Sequence, residues 1–184
     1  WYLPYCGVTP DATAKAEWIA IWQKLGDDLA ATNQVAVLRD YHSVNLIWRD
    51  QALARHRIGL IDVQDALKGH AAYDLASLIY DARIDVAESR RDAALAHYLT
   101  RRFGDDQKAR DDFTAALAIC AMQRNLKIAG IFIRLAQRDG KPSYLGHMPR
   151  IIAYLKAHLD APALKPVADW LVAHAPHALE PQID

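Results

Sequence analysis

The chain has 184 residues, 52% hydrophobic and 24% charged, and its 22 basic and 22 acidic side chains give a formal charge of zero. That composition suits one ordinary globular domain with a sizeable core. Neutrality argues against broad electrostatic attraction to nucleic acid or an anionic membrane, and no unbroken apolar run approaches the roughly 18 residues that span a bilayer. No secretory leader pattern is evident. Cys6 and Cys120 lie in unrelated contexts, as reduced core thiols of a cytoplasmic protein would. The opening "WYLPYCG", aromatic and without Met, reads as the middle of a fold, so a longer polypeptide is expected.

Pro10 to Thr32 reads as the first long helix. Asp11 suits its N-cap, and Trp18, Trp22, Leu25 and Leu29 recur on one face. Val35–Leu38, Asn45–Trp48 and Arg57–Val63 are short β-prone runs. From Ala72 onward the pattern is helical: Tyr73–Ala82, then Val86–Phe103 stopped at Gly104. A third helix starts at Asp105 or Asp106, with the apolar "NLKIAGIFIRLA" continuing or following it. Gly140 and Pro142 break the chain, and Pro149–Leu159 and Leu164–Ala173 supply the last helices. The expected fold is mainly α with one small β-hairpin element near residues 35–63. His174 and His177 flank Pro176, a poor arrangement for a metal site. "ESRRD" and "RRFGDDQKARDD" read as solvated helix faces.

Polar residues concentrate in "VLRDYHSVNLIW", Val37 to Trp48. Asp, Ser and Asn all favour turns, so a plain turn would account for them. It would not account for a second apolar run, "IGLIDV", that ends on Asp62. An antiparallel hairpin of Asn45–Trp48 with Ile58–Ile61, centred between Leu53 and Ala54, sets Asn45 opposite Asp62. Opposed residues have Cα atoms about 4.5–5.5 Å apart, close enough for an amide oxygen and a carboxylate to share one small hard cation such as Mg²⁺. Asp40 lies on the loop entering the first strand, placed to orient a substrate hydroxyl or accept its proton. Two metal-holding groups and a separate carboxylate are the minimum apparatus for phosphoryl transfer. The spacing Arg39-Asp40-(four residues)-Asn45, followed by Asp62, matches a kinase catalytic loop and metal Asp.

With those residues on the page, "LRDYHSVNLIW" and "IGLIDVQDALKGHAAYDLASLIYDAR" resemble the C-terminal lobe of the aminoglycoside phosphotransferase and choline kinase family. Within it, "WYLP", "RDYHSVN" and "IDVQDALKGHAAYDLASL" are most similar to the anomeric N-acetylmuramate and N-acetylglucosamine kinases of cell-wall recycling. The specific motifs cover about residues 37–83, and the general pattern covers most of the chain. The resemblance implies a kinase-like C-terminal lobe over 1–184, with the catalytic loop and metal-binding hairpin at 37–65. It implies ATP and Mg²⁺, a small-molecule acceptor, and no nucleic-acid or membrane partner. By position Asp40 becomes the catalytic base, and Asn45 and Asp62 the metal ligands. Arg39, His42 and Asp74 support the loop, Asp74 by bracing its backbone from the start of a helix. Gln64 and Asp65 are candidates for contact with the acceptor or the phosphates, and Asp81, Arg83 and Asp85, just after the "YDLA" helix, either line a substrate cleft or face water.

Two departures bear on this expectation. The family usually has His where this chain has Leu38, so Asp40 is expected to be held less firmly. The eight glycines are scattered, and no strand-borne Lys precedes the loop. The nucleotide-covering N-terminal lobe is therefore expected upstream of Trp1. Two rival readings follow. One is a kinase for aminoglycosides, choline or another amino alcohol, with Asp65, Asp81, Asp85 and Glu88 as an acidic pocket into which Arg83 and Lys68 intrude. The other is a non-catalytic kinase-like binding module.

Overall fold

The computed structural model describes residues 1–53 and 56–181. Within those limits the chain folds into two compact units, Trp1–Ala31 with Ala118–Asp184, and Thr32–Leu117. The division falls inside one long helix, Gln107–Gln137.

In the first unit a single turn α1, Tyr2–Tyr5, precedes α2, Ala12–Ala30. Asp11 caps α2 as its sequence promised, accepting from the Ala14 N–H at 2.8 Å and so satisfying one of the donors a helix start leaves open. The tryptophan stripe is half-buried. Trp18 packs on Trp170, with ring centroids 4.5 Å apart, and the Trp170 indole donates to the Ala14 carbonyl at 2.8 Å. The deep core is aliphatic, with Met122, Ile133, Met148, Ile151, Leu155, Leu164 and Val167 fully enclosed. Each such side chain contributes about 1.5–3 kcal/mol of burial. His174 pairs with Glu17 at 3.1 Å.

Among the described residues, the strands all lie in the second unit. Four three-residue strands form two antiparallel pairs. β1, Val35–Val37, pairs with β4, Leu67–Gly69, and β2, Leu46–Trp48, pairs with β3, Ile58–Leu60. Helix α3, Ala72–Ile79, follows β4. α4, Glu88–Phe103, ends at Gly104, whose φ of 54° suits a residue without a side chain. α5, Gln107–Gln137, starts at an Asp106 cap that accepts from the Ala109 N–H at 3.0 Å. Phe113 holds the packing on this side, stacked on Tyr98 at 4.7 Å and beside Phe103 at 5.5 Å. α6, Met148–His158, and α7, Lys165–His174, return to the first unit.

Two expectations need correction, and one open alternative is settled. The β region comprises two ladders, because β4 takes β1 as a partner that the sequence left unpaired. "NLKIAGIFIRLA" is the continuation of α5. And α5 contains an 18-residue window apolar and long enough, by composition alone, to cross a bilayer; 72% of that window is buried in the protein, which accounts for its apolarity.

Candidate active site

The β1–β4 ladder brings the start of the polar loop and the start of α3 together, since Val37 lies opposite Leu67. The strands approach closely here: a side chain at Gly69 would sit 3.2 Å from Val37 Cγ2. Two residues beyond β4 the chain enters α3, and Asp74 on its first turn reaches back to the loop. Its carboxylate accepts from the backbone N–H groups of Leu38 at 2.7 Å and Arg39 at 3.0 Å. One side chain thereby satisfies two donors that no strand partner serves. Leu38 is therefore held by its own main chain, whatever its side chain lacks.

Arg39 contributes through its backbone. Its φ is 70°, and the Asp40 N–H bonds the Leu38 carbonyl at 2.8 Å, closing a three-residue turn about Arg39. That conformation is rare and strained for a residue with a side chain, and persists only where surroundings impose it. Asp74 from one side and Ser77, whose hydroxyl meets the Arg39 carbonyl at 3.5 Å, are those surroundings. Among the described non-glycine residues only Arg39 and Asp62 have positive φ, and both belong to this site.

Asp40 emerges half-buried with its main chain committed. Its carbonyl accepts from the His42 N–H at 2.9 Å and from the Asn45 side-chain amide at 2.9 Å. A single helical turn, Ser43–Asn45, then feeds β2. The expected register is off by one. Leu46 faces Leu60, and the Ile61 N–H donates to the Asn45 carbonyl at 3.2 Å, so Asn45 lies opposite Ile61 rather than Asp62. The ladder is thus centred on Leu53; Ala54, named with it as the expected centre, lies outside the described residues. Asp62 nevertheless returns to Asn45 because its own φ of 61° turns the chain at the strand end, a conformation Asp tolerates better than most residues. The Asn45 amide nitrogen is 3.4 Å from Asp62 Oδ2. Gln64 donates to the other oxygen of Asp62, so it orients this carboxylate. Asp65 and Arg83 are exposed.

Asp81 departs from expectation most. Only 1% of it is exposed, and its carboxylate points at the loop, accepting from the Ser43 N–H at 3.0 Å, the Ser43 hydroxyl, and the Arg83 N–H at 2.8 Å. Burial by itself would raise its pKa. The Ser43 hydroxyl, the two backbone donors and nearby His42 outweigh that and hold the carboxyl below the usual carboxylate range. A side chain so enclosed does not line an open substrate cleft. Asp74 and Ser77 share one face of α3, three residues apart, and Asp81 follows the helix end at Ile79; the three meet the loop at residues 38–39, 39 and 43 in turn.

The donor set suits magnesium. The Asn45 amide nitrogen bonds the Asp40 carbonyl and lies 3.4 Å from Asp62 Oδ2, and an amide oxygen is a hard donor of the kind Mg²⁺ takes. Asp62 adds an exposed carboxylate. Mg²⁺ is commonly held by one or two such groups, with substrate phosphates and water completing its shell.

A family model described as a phosphotransferase enzyme family matches residues 3–113, which include every residue of this site. The chain belongs to that phosphotransferase family. Among curated relatives, N-acetylmuramate/N-acetylglucosamine kinase of Caulobacter vibrioides is 38% identical over 176 residues, covering 96% of this chain and 48% of the relative. The protein of that name in Pseudomonas aeruginosa is 36% identical over 160 residues, 85% of this chain and 46% of the relative. Its Pseudomonas putida counterpart is 35% identical over 159 residues, 84% and 45%. The chain thus spans about half the length of the curated relatives it matches.

Proposed function

We propose that this chain is the C-terminal, acceptor- and metal-holding lobe of an ATP-dependent sugar kinase that phosphorylates the anomeric hydroxyl of N-acetylmuramate or N-acetylglucosamine. The link that Asn45 makes between the Asp40 backbone carbonyl and the Asp62 carboxylate at one end of the β2–β3 hairpin carries this reading, and the names of the relatives direct it to these sugars. Asp40 orients the attacking hydroxyl and takes its proton as the new O–P bond forms and the bond from the γ-phosphorus to the bridging oxygen breaks, releasing ADP. Asn45 and Asp62 would hold Mg²⁺, which when bound neutralises charge on the transferring phosphates. Gln64 keeps Asp62 facing that position. Asp74 pays in two hydrogen bonds for the strained turn that aims Asp40.

The same reading puts a nucleotide-covering lobe outside this chain. The β2–β3 hairpin supports that. Opposed residues of a ladder share a face, so Trp48 and Ile58 lie on one face with Leu46 and Leu60, while Ile47 lies on the other. Ile47, Trp48, Ile58 and Leu60 are all exposed. A strand pair apolar on both faces is built to be covered on both. A cytoplasmic location fits the need for ATP and the two free cysteines.

The test is to incubate the full-length protein with ATP, Mg²⁺ and either sugar, with kanamycin and choline in parallel. Appearance of a sugar 1-phosphate by ³¹P NMR is the expected result. Phosphorylation of kanamycin or choline alone would replace the sugar assignment, and turnover of none of the four would overturn the proposal.

A further inference from the structure

The chemistry just proposed makes no use of Asp81, a carboxylate 1% exposed in a soluble fold. An acid so placed needs strong partners to stay. Four donor and charge contacts surround it: the Ser43 N–H, the Ser43 hydroxyl, the Arg83 N–H and the neighbouring His42, itself only 5% exposed. Ser43 opens the single turn Ser43–Asn45, so it stands between Asp40 and Asn45 on the shortest path along the chain. At the other end of the loop Asp74 fixes residues 38 and 39. Two carboxylates from one stretch of chain thus clamp the loop on either side of Asp40. Without the second clamp, the turn that delivers Asn45 would lose its tie at Ser43 and keep those at Asn45: its N–H to the His42 carbonyl at 2.9 Å, its amide to Asp40 and Asp62, and its carbonyl to the Ile61 N–H.

Resting on the phosphotransfer reading, we infer that Asp81 is a positioning residue for the reaction, acting through Ser43 to fix the spacing of the Asp40 carboxylate and the Asn45 amide without touching either substrate. Replacing Asp81 by Asn keeps size and shape but turns an amide N–H₂ toward groups that also donate. The loop then loses its second anchor while the core keeps its volume.

Full-length Asp81→Asn and Ser43→Ala are each compared with the wild type in three ways: thermal melting, hydrogen exchange of peptides spanning 38–46, and steady-state kinetics. The inference predicts faster exchange in that peptide in both variants, with melting above the assay temperature. It predicts a fall in kcat of up to about a hundredfold, the scale of an ångström-sized misplacement, with KM for ATP and sugar within about twofold. The double variant should be no worse than Asp81→Asn alone, and Ser43→Thr, which keeps the hydroxyl, should recover most of the loss. Unchanged exchange and kcat would overturn the inference. So would a raised KM for the sugar at unchanged kcat, which would make Asp81 a substrate contact after all. If Asp81→Asn fails to fold, Ser43→Ala alone decides. If the wild type phosphorylates nothing, the phosphotransfer reading falls, while the exchange data still decide whether Asp81 anchors the loop.

Discussion

The Asn45 amide lies 3.4 Å from the Asp62 carboxylate although the β ladder does not oppose the two residues. The same amide holds the Asp40 carbonyl at 2.9 Å. Asn45 is thereby the hinge between the loop that carries Asp40 and the strand end that carries Asp62. Asn45→Asp exchanges its donor for a second acceptor and sets two carboxylates together. The Mg²⁺ concentration that gives half-maximal turnover should shift, and kcat should fall by about two orders of magnitude. A magnesium titration of the full-length variant checks this.

Asp74 should matter to stability as much as to rate. Asp74→Ala strips the acceptor from the Leu38 and Arg39 N–H groups, and leaving part-buried donors unserved costs about 1–3 kcal/mol. It also removes one of the two contacts that hold Arg39 at its positive φ, leaving that of Ser77. Urea unfolding of the variant should show a lower midpoint at unchanged m-value, together with a drop in kcat. A full-stability variant with normal turnover would contradict the bracing role.

How much of this could be read from the sequence depends on where the information sits. The helices were legible because their apolar period is local: Asp11, Gly104 and the Trp18 stripe each act within one or two turns. The acid and amide at Asp40 and Asn45 were legible because their spacing is fixed by one short loop. The hairpin register was not, since a connection of arbitrary shape lets strands slip by one, and the return of Asp62 depends on a backbone angle of 61° that no side chain announces. β4 was missed because "LKG" has no alternation and is a strand only by virtue of β1. Asp81 was misplaced because an acid after a helix ordinarily faces water; its burial is a tertiary fact, created by Ser43.

Acid should weaken the start of α3. The His70 Nδ1 accepts from the Ala72 N–H at 3.1 Å, and the ring lies 5.8 Å from Phe113. Burial lowers its pKa below the ordinary 6.5. The sign follows from linkage. Above pH 6.5 the imidazole is neutral folded and unfolded, and its stabilising contribution is complete. As pH falls from there toward the lowered folded value, the unfolded chain takes up a proton the folded chain refuses, and stability declines. Unfolding midpoints measured between pH 5 and 8 should show this slope, and His70→Gln should flatten it.

The two thiols should differ sharply in reactivity. Cys120 is 4% exposed on α5 and burial pushes its pKa up to about 12, so almost none is thiolate near neutrality, and thiolate is the reactive form. Cys6 is half-buried, its pKa raised less far. Iodoacetamide at pH 8 should label Cys6 slowly in the folded protein and Cys120 only after unfolding, as read by mass spectrometry of the labelled peptides. Rapid labelling of Cys120 would mean that α5 is not packed as described.

In the proposed reaction Asp40 takes the proton from the acceptor hydroxyl. The most direct test is Asp40→Asn in the full-length protein, with turnover followed by ³¹P NMR and ATP and sugar binding by calorimetry. The amide keeps the shape of the side chain and removes the base, so formation of sugar 1-phosphate should fall by about 10²–10⁴-fold while both ligands bind within a few-fold of the wild type. A variant that phosphorylates the sugar at close to the wild-type rate would contradict the account.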